Sequence, residues 1–314
     1  MTMSDKTRAW LMLSRLPFHS VGVLPFVLGT VLAWWQRGIF RRDILVWGVC
    51  GVILIMLATY YAGEYWDYDE DVLSGRAGGS RFAGGSQVLQ RNLLPRRAPL
   101  RAALASLLLA GVVGLVLQLG YRTGSWTLPF GLLGMLGGFF YSARPVRWVG
   151  RGWGELWIAL CYGWLPVAVG YYLQAGTLTP VVHWLAGPIG LTIFDVILLN
   201  EFPDYPADLT AGKTNLTVRL GRERAAHLYG FTAVAGWLAM WLALRHGVPW
   251  RTLWVYLPVM ATSAVLVVLV LAGRWRNRTD LEKLCAANLL VNLGTTAACI
   301  VGFVATTASR LGGG

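Results

Sequence analysis

The chain carries few charged residues for its length. Only 13% of its 314 residues are Asp, Glu, Lys or Arg, whereas soluble domains carry roughly 25%. Cysteine is also scarce, and the four cysteines lie in apolar stretches without a Cys-x-x-Cys pair, which argues against a disulfide framework or a zinc site. Hydrophobic residues make up 56% of the chain, and the mean hydropathy is +0.54. This composition excludes a soluble globular protein and indicates a surface that mostly contacts lipid.

Long apolar runs dominate the sequence. A membrane-spanning helix needs about 20 mostly apolar residues, and the chain offers nine such segments. The first is too long for a secretory signal and has no cleavage site, so it too is predicted to span the membrane. The whole chain, 1–314, is expected to form one all-α transmembrane domain. The predicted helices cover roughly 17–36, 43–65, 99–120, 125–142, 153–174, 179–199, 225–245, 250–272 and 285–307.

Basic residues are distributed unevenly between the two sides of the predicted bundle. The net charge is +12, from 27 Lys and Arg against 15 Asp and Glu. With a cytoplasmic N-terminus, 20 basic residues lie on the cytoplasmic side and seven, including Arg41 and Arg42, on the other. This bias predicts a multi-pass protein of the cell membrane, whose charge meets anionic lipid rather than nucleic acid. The two long connections, 66–98 and 200–224, fall on the same side.

Acidic residues concentrate in two short windows that resemble each other. Eight of the fifteen lie within 64–71 and 201–208, each window closing an apolar segment. The sequences EYWDYDEDVLSGR (64–76) and EFPDYPADLTAGK (201–213) are 137 residues apart and identical at five of thirteen positions. This repeat predicts two related helical halves, each contributing one acidic cluster to a shared site.

The spacing of these carboxylates suggests a site for a cation and an anion together. Asp67 and Asp71 are four residues apart, as are Asp204 and Asp208, so each pair shares one face of a helix. Clustered carboxylates repel one another, and oxygen ligands without nearby His or Cys favour Mg²⁺ or Ca²⁺. Mg²⁺ completes its coordination with water and phosphate. Basic residues that follow the acids or share their side would then bind a diphosphate, namely Arg76, Arg81 and Lys213 together with Arg144, Arg147 and Arg151. The alternative is a pair of solvated acidic helix ends.

At these residues the sequence resembles the UbiA superfamily of membrane prenyltransferases. The family's N-x-x-x-D-x-x-x-D motif is present as Asn200, Asp204 and Asp208, and the family's first motif matches at Asp67 and Asp71. Three further segments are similar to the 1,4-dihydroxy-2-naphthoate prenyltransferase branch, namely GGSQVLQRNLLP (84–95), YSARPVRWVGRGWGE (141–155) and LSRLPFHSVGVLPFVLGTVLA (13–33).

The resemblance implies a nine-helix bundle and an Mg²⁺-dependent reaction. An isoprenoid chain would pass from an allylic polyprenyl diphosphate to an aromatic acceptor, 1,4-dihydroxy-2-naphthoate of menaquinone biosynthesis. The implied catalytic and metal-binding residues are Asp67, Asp71, Asp204 and Asp208, with Asn200 and, as an option, Glu64 as further metal ligands. Diphosphate binding is assigned to Asn200, Lys213, Arg76, Arg81, Arg144 and Arg147, and the last two are also the expected partners of the acceptor's carboxylate.

Two departures from the family pattern bear on this site. Gly63 stands where the first motif has Asn, which removes an amide oxygen, so this half of the site is expected either to hold its metal more loosely or to use Glu64 instead. Pro203 and Pro206 flank Asp204, and proline disrupts helix interiors, so the second pair of carboxylates is not expected to stack as on a regular helix.

Other functions remain open at this stage. The acceptor could be 4-hydroxybenzoate, the enzyme could cyclise its own prenyl substrate as a terpene cyclase, or the acids could belong to a cation transporter. Transporters usually hold their acids near the membrane midplane, whereas these lie at helix ends. Asp195 and Glu155 are two further intramembrane acids that could extend the site. Chain length of the donor and oligomeric state are not fixed by the sequence.

Overall fold

Helices make up all regular structure in the described part of the chain. The computed structural model describes residues 3–76 and 78–311. Short 3₁₀ turns and π-helical segments join or extend some of its α-helices. The α-helices are α1 Met3–Ser14, α2 Ser20–Arg37, α3 Arg42–Trp66, α4 Tyr68–Arg76, α5 Ala98–Leu115, α6 Thr127–Ser142, α7 Gly154–Ile158, α8 Leu165–Ala175, α9 Pro180–Thr210, α10 Leu216–Leu220, α11 Arg222–Arg245, α12 Arg251–Leu271 and α13 Arg278–Leu311.

The predicted membrane helices are confirmed. In the described ranges eight helical segments are long and apolar enough to cross a membrane, and a ninth, α6, is apolar but shorter. All nine lie where the hydropathy predicts them, and the all-α transmembrane fold is therefore established. Three helix ends differ most from the prediction. The first span continues back through a 3₁₀ turn at Leu16–His19 into α1, α9 runs on to Thr210 rather than ending near residue 199, and the last span begins at Arg278 rather than near residue 285.

The surface of the bundle is apolar and its interior holds polar groups. Large side chains such as Leu108, Phe231 and Trp254 are 71%, 71% and 75% exposed, which suits a lipid solvent and would be costly in water. Inside the bundle, Asp195 of α9 is buried and accepts a hydrogen bond from Thr232 of α11. Acids and hydroxyls thus pair between helices, because lipid offers them no partner.

Glycines allow the two central helices α2 and α8 to approach backbone to backbone. A Cβ built on Gly29 would lie 2.1 Å from the carbonyl oxygen of Val167, and one on Gly170 would lie 2.1 Å from that of Phe26. Close contact through small residues is how membrane helices gain dispersion energy, since lipid is as apolar as their side chains. This contact fixes the middle of the bundle, where α3, α6, α9 and α13 also pack against one or both of the two helices.

Gly170→Ala should destabilise the protein measurably. The added Cβ must push α2 and α8 apart, which costs about 1–3 kcal/mol, and we expect a clear fall in the thermal unfolding midpoint in detergent. Gly131→Ala is the matched control, because Gly131 is also helical and its Cβ would meet nothing within 4 Å. An unchanged midpoint for Gly170→Ala would mean that the α2–α8 contact does not stabilise the bundle.

The two acidic motifs lie at the same end of the bundle but on helices of different shape. The helices that lead into them, α3 and α9, begin 138 residues apart, close to the 137 that separate the motifs. In the first motif α3 ends at Trp66, and Asp67 lies at the break before α4. In the second motif α9 continues without interruption to Thr210.

The expectation that Pro203 and Pro206 disturb the second motif is therefore wrong. Pro203 cannot donate a backbone hydrogen bond to the carbonyl of Leu199, the residue four positions earlier. That carbonyl accepts instead from the Cys285 thiol of α13 at 3.7 Å. A neighbouring helix thus supplies the missing donor, which is how membrane helices tolerate internal proline. Asp204 and Asp208 consequently lie one turn apart on a regular helix.

Candidate active site

A cavity of about 240 Å³ separates the two acidic motifs. Carboxylates and the amide of Asn200 from α3, α4 and α9 face it together with Arg15 and Lys213, and much of the rest of its wall is apolar or aromatic. The predicted residues that line it are Glu64, Asp67, Asp71, Asn200, Asp204, Asp208 and Lys213. The four paired carboxylates and Asn200, which the sequence places 137 residues apart in two groups, thus meet around one space.

The two motifs also touch directly. The hydroxyl of Ser74 on α4 donates a hydrogen bond to Asp204 on α9. The loop that follows α4 passes over this contact at Gly84 and Gly85, both of which have positive φ (74° and 67°). A Cβ on Gly85 would lie 2.1 Å from Asp71 Oδ2, and one on Gly84 would lie 2.2 Å from Ser74 Oγ. Only glycine fits here, for reasons both of conformation and of space.

Asp208 is held by a lysine and an amide. Lys213 Nζ lies 2.9 Å from Asp208 Oδ1, and Asn215 Nδ2 donates to Asp208 Oδ2 at 2.8 Å. Burial by itself lowers the pKa of Lys213, but the carboxylates of Asp208 and Asp67 outweigh it and raise that pKa above its usual value. The lysine is therefore a fixed positive charge on the cavity wall.

Asp67 and Asp71 differ in how their charge is compensated. Ser142 Oγ donates to Asp67 Oδ2 at 2.6 Å, and Arg147 Nη2 lies 3.5 Å from Asp67 Oδ1 while also pairing with Glu70. Burial raises the pKa of both Asp67 and Asp71. The pKa of Asp71 is raised further, because the negative charges of Glu64 and Asp67 add to the effect of burial. The site is short of positive charge, most of all at Asp71.

The amide oxygen of Asn200 faces the cavity without a partner. It is buried and accepts no hydrogen bond in the described part of the chain. Buried polar atoms are rarely left unpaired unless something else binds them. The Asp71 carboxylate of the other motif faces the same cavity near the negative charges of Glu64 and Asp67. An amide oxygen and a carboxylate, one from each motif, both suit a hard divalent cation.

The metal ligands that the cavity offers suit Mg²⁺ bound partly by water and substrate, rather than a metal held entirely by protein side chains. Among residues 3–76 and 78–311, no three His, Cys, Asp or Glu side chains converge on a single metal position. Mg²⁺ needs only one or two carboxylates when water and phosphate supply the rest. The residues present therefore fit Mg²⁺ that binds together with a diphosphate.

Glu64 lines the cavity, but protein donors already occupy its oxygens. Arg15 Nη2 lies 3.2 Å from Oε1, and Ser86 donates its N–H and its hydroxyl to the carboxylate at 2.8 Å each. At Gly63, where the motif has Asn, a Cβ would stand 3.6 Å from Ser142 Oγ. The Ser142 hydroxyl thus lies beside the space that the Asn side chain would enter.

Several predicted residues lie away from the cavity. Arg76, Arg81 and Arg144 are exposed and do not line it. Asp195 is bonded to Thr232 outside the cavity, and Glu155 accepts from the N–H of Leu216 at 2.7 Å, where it caps the short helix α10. Cavity residues that the sequence analysis did not identify are Arg15, Tyr60, Tyr141, Ser142, Tyr162, Glu201 and Asn215.

An apolar cavity of about 120 Å³ adjoins the acidic one. It lies between α2, α3, α5, α6 and α8, and its wall contains many glycines and aliphatic side chains. Thr59 and Tyr162 line both cavities. The site therefore combines a charged end, suited to a phosphate group, with an apolar extension into the membrane interior, suited to a hydrocarbon chain.

Relatives of known function are similar over most of the chain. A 1,4-dihydroxy-2-naphthoate octaprenyltransferase of Mycobacterium tuberculosis is 30% identical over 230 residues, which cover 73% of this chain and 75% of that protein. The enzyme of the same name from Escherichia coli is 28% identical over 83% of this chain and 84% of its own. A 2-carboxy-1,4-naphthoquinone phytyltransferase of Synechocystis is 27% identical over 78% and 77% of the two chains.

Solved structures share the fold. A UbiA homolog from Archaeoglobus fulgidus bound to GPP and Mg²⁺ superposes with a TM-score of 0.65 at 17% identity, covering 93% of this chain and 99% of that one. A UbiA homolog from Aeropyrum pernix gives 0.68 at 14% identity, covering 90% and 97%. Residues 23–307 match the UbiA prenyltransferase family. The resemblance seen in the acidic motifs is thereby confirmed, and the chain belongs to the UbiA prenyltransferase family of membrane enzymes.

Proposed function

We propose that this enzyme transfers an isoprenoid chain from an allylic polyprenyl diphosphate to 1,4-dihydroxy-2-naphthoate, as a step of menaquinone biosynthesis. The observation that carries the proposal is the amide oxygen of Asn200, which has no partner in the described part of the chain and faces a cavity lined by the carboxylates of both motifs, beside an apolar cavity. The charged end suits a metal-bound diphosphate and the apolar end its chain. Relatives that carry naphthoate or naphthoquinone in their names support the acceptor.

Asp71 and Asn200 would hold Mg²⁺, with Asp67, Asp204 and Asp208 around it. When bound, the metal neutralises charge on the diphosphate as it leaves. Lys213, fixed by Asp208, adds a positive charge at the same wall and stabilises the departing group.

Aromatic residues of the cavity wall shield the allylic carbon of the prenyl diphosphate, on which positive charge develops as the diphosphate leaves. Tyr60, Tyr141 and Tyr162 line the cavity, and aromatic faces stabilise a cation without reacting as strong nucleophiles. The diphosphate leaves with the electron pair of the C–O bond, and the acceptor ring carbon that bears the carboxylate supplies the pair for the new C–C bond. Loss of that carboxylate as CO₂ returns its electron pair to the ring, giving a demethylmenaquinol-type product.

The first test is direct product analysis. Purified protein with Mg²⁺ and several prenyl diphosphates should prenylate the naphthoate, with a product mass that shows loss of CO₂. The comparison acceptor is 4-hydroxybenzoate, which keeps its carboxyl group when prenylated. Prenylation of 4-hydroxybenzoate alone would overturn the acceptor assignment, and a cyclised prenyl product formed without any acceptor would identify a terpene cyclase instead.

The acidic end of the bundle is proposed to face the cytoplasm of a cell-membrane protein, because the basic loops lie there. Single cysteines at Gly79 and Thr214, in a variant that lacks the four native ones, should react with a membrane-impermeant thiol reagent only from the cytoplasmic side. Both positions lie beside the two motifs, so they test the orientation of both halves. Labelling of intact cells from outside at either position would contradict it.

A further inference from the structure

A second, larger depression opens beside the catalytic cavity at the same end of the bundle. This basin has a volume of about 1110 Å³ and lies between the end of α1, the loop after α4 and the first turns of α13. Among the described residues on its wall, five side chains are cationic and only one, Glu282, is acidic. The cationic residues are Arg15, Arg81, Arg91, Arg278 and Lys283. The basin is therefore a concentrated positive surface, which attracts anions.

The basin leads into the catalytic cavity. The two spaces share Arg15, Phe18, Phe82, Ala83 and Gly85 as wall residues. At this junction the rings of Phe18 and Phe82 meet edge to face, with centroids 6.3 Å apart. A molecule that moves from basin to cavity must pass this ring pair and the Arg15 guanidinium.

Both rings are carried on segments that the fold holds in place. Phe18 belongs to the 3₁₀ turn Leu16–His19 before α2. Phe82 belongs to the loop after α4, which α13 ties down, because Arg278 donates to the carbonyls of Gly78 and Gly79 and Glu282 accepts from the N–H of Arg81 at 3.3 Å. The junction is thus a defined structure rather than a loose surface.

The two substrates of the proposed reaction need different access routes. A polyprenyl diphosphate carries a long hydrocarbon chain, which the apolar cavity can receive from the membrane interior. The acceptor is a small aromatic carboxylate, and an anion of this kind crosses apolar surfaces at high cost. It needs an aqueous, positively charged route to the allylic carbon from which the diphosphate departs.

We propose that the basin is the vestibule for the aromatic carboxylate acceptor and that Phe18 and Phe82 form the gate through which it reaches the cavity. The cations draw in the carboxylate, and the two rings offer an edge and a face to the aromatic system as it passes. This inference rests on the proposed function, since it requires an aromatic carboxylate as acceptor.

Removing basin charge tests the vestibule. The double variant Arg91→Gln/Lys283→Gln should lower kcat/KM for the acceptor about 5- to 10-fold and weaken its dependence on ionic strength, with the KM for the prenyl diphosphate unchanged. Arg224→Gln is the matched control, because Arg224 is an exposed arginine in the first turn of α11 that does not line the basin. Equal effects of the variant and the control would overturn the vestibule.

Blocking the junction tests the gate. In a variant that lacks the native cysteines, Phe82→Cys is labelled with a bulky anionic thiol reagent. Labelling should abolish transfer to the acceptor while binding of radiolabelled prenyl diphosphate stays within about twofold of the unlabelled protein, and acceptor alone should slow the labelling. Phe40→Cys, on an exposed residue outside the basin, controls for modification itself.

The outcomes separate this inference from the proposed function. If wild-type protein prenylates no aromatic carboxylate, the proposed function fails and the vestibule fails with it. If wild-type protein is active but labelling at position 82 leaves acceptor use intact, or weakens prenyl diphosphate binding equally, only the gate is overturned.

Discussion

Asp71→Asn should lower kcat/KM for prenyl transfer by about 10²- to 10³-fold, comparable to removing a principal electrostatic stabiliser. The substitution preserves size but removes the charge of a buried carboxylate near the acids Glu64 and Asp67, where Arg15 and Lys213 offset the negative charge only in part. Without that charge the protein should bind Mg²⁺ and diphosphate more weakly, so the Mg²⁺ concentration that gives half-maximal activity should rise. We expect losses of at least about 10²-fold for Asp67→Asn, Asp204→Asn and Asp208→Asn as well.

Asp69→Asn is the matched control for these variants. Asp69 lies two residues from Asp71 on α4 but is exposed and does not line the cavity. Its loss should change activity by less than a few-fold. Glu70 is a poorer control than its position suggests, because it pairs with Arg147, which also contacts Asp67. Similar small losses at positions 69 and 71 would mean that the acids are only solvated helix ends.

Gly85→Ala should reduce activity by about 10²-fold or more, because the loop can no longer lie against Asp71. Its Cβ would stand 2.1 Å from Asp71 Oδ2, so either the loop or the carboxylate must move. A displacement of about 1 Å in a catalytic group is enough to cost this much. The measurement is kcat/KM for prenyl transfer, with the thermal unfolding midpoint recorded alongside.

Gly79→Ala separates this steric effect from backbone strain. Gly79 has a positive φ of 60°, similar to the 67° of Gly85, but its Cβ would meet nothing within 4 Å. Both variants carry the cost of a left-handed backbone, roughly 1 kcal/mol, and only Gly85→Ala also meets the carboxylate. If both lose activity to the same degree, strain in the loop rather than contact with Asp71 is responsible.

The sequence was sufficient to predict the spans and the pairing of the motifs, because both leave periodic or repeated signals. A run of 20 apolar residues is most stable in a bilayer as a spanning helix, which satisfies its own backbone hydrogen bonds. Two acidic windows with matched flanks predict a shared site, and the structure brings Asp67, Asp71, Asp204 and Asp208 to the same cavity. Their roles in catalysis remain predictions that the variants above test.

The direction of individual side chains could not be predicted. Arg76 follows the first acids closely, but it ends α4 and points away from the cavity, whereas Arg15 reaches Glu64 from 49 residues away. Neighbours in sequence need not face the same side, and long-range contacts depend on how helices pack. The regular helix at the α9 prolines could not be predicted for the same reason. The Cys285 thiol, which donates to the carbonyl that Pro203 cannot serve, comes from another helix.

The helix break at Asp67 means that the two related halves are not interchangeable. Ser74 cross-links the motifs through Asp204, and the position equivalent to it in the second half, 137 residues later, is Ala211, which has no hydroxyl. A symmetric dimer of the second half would lack this cross-link, and a dimer of the first half would break the helix at both clusters. The two halves therefore divide the work: the first supplies the broken helix and the Ser74 donor, and the second supplies the continuous helix and the acceptor Asp204.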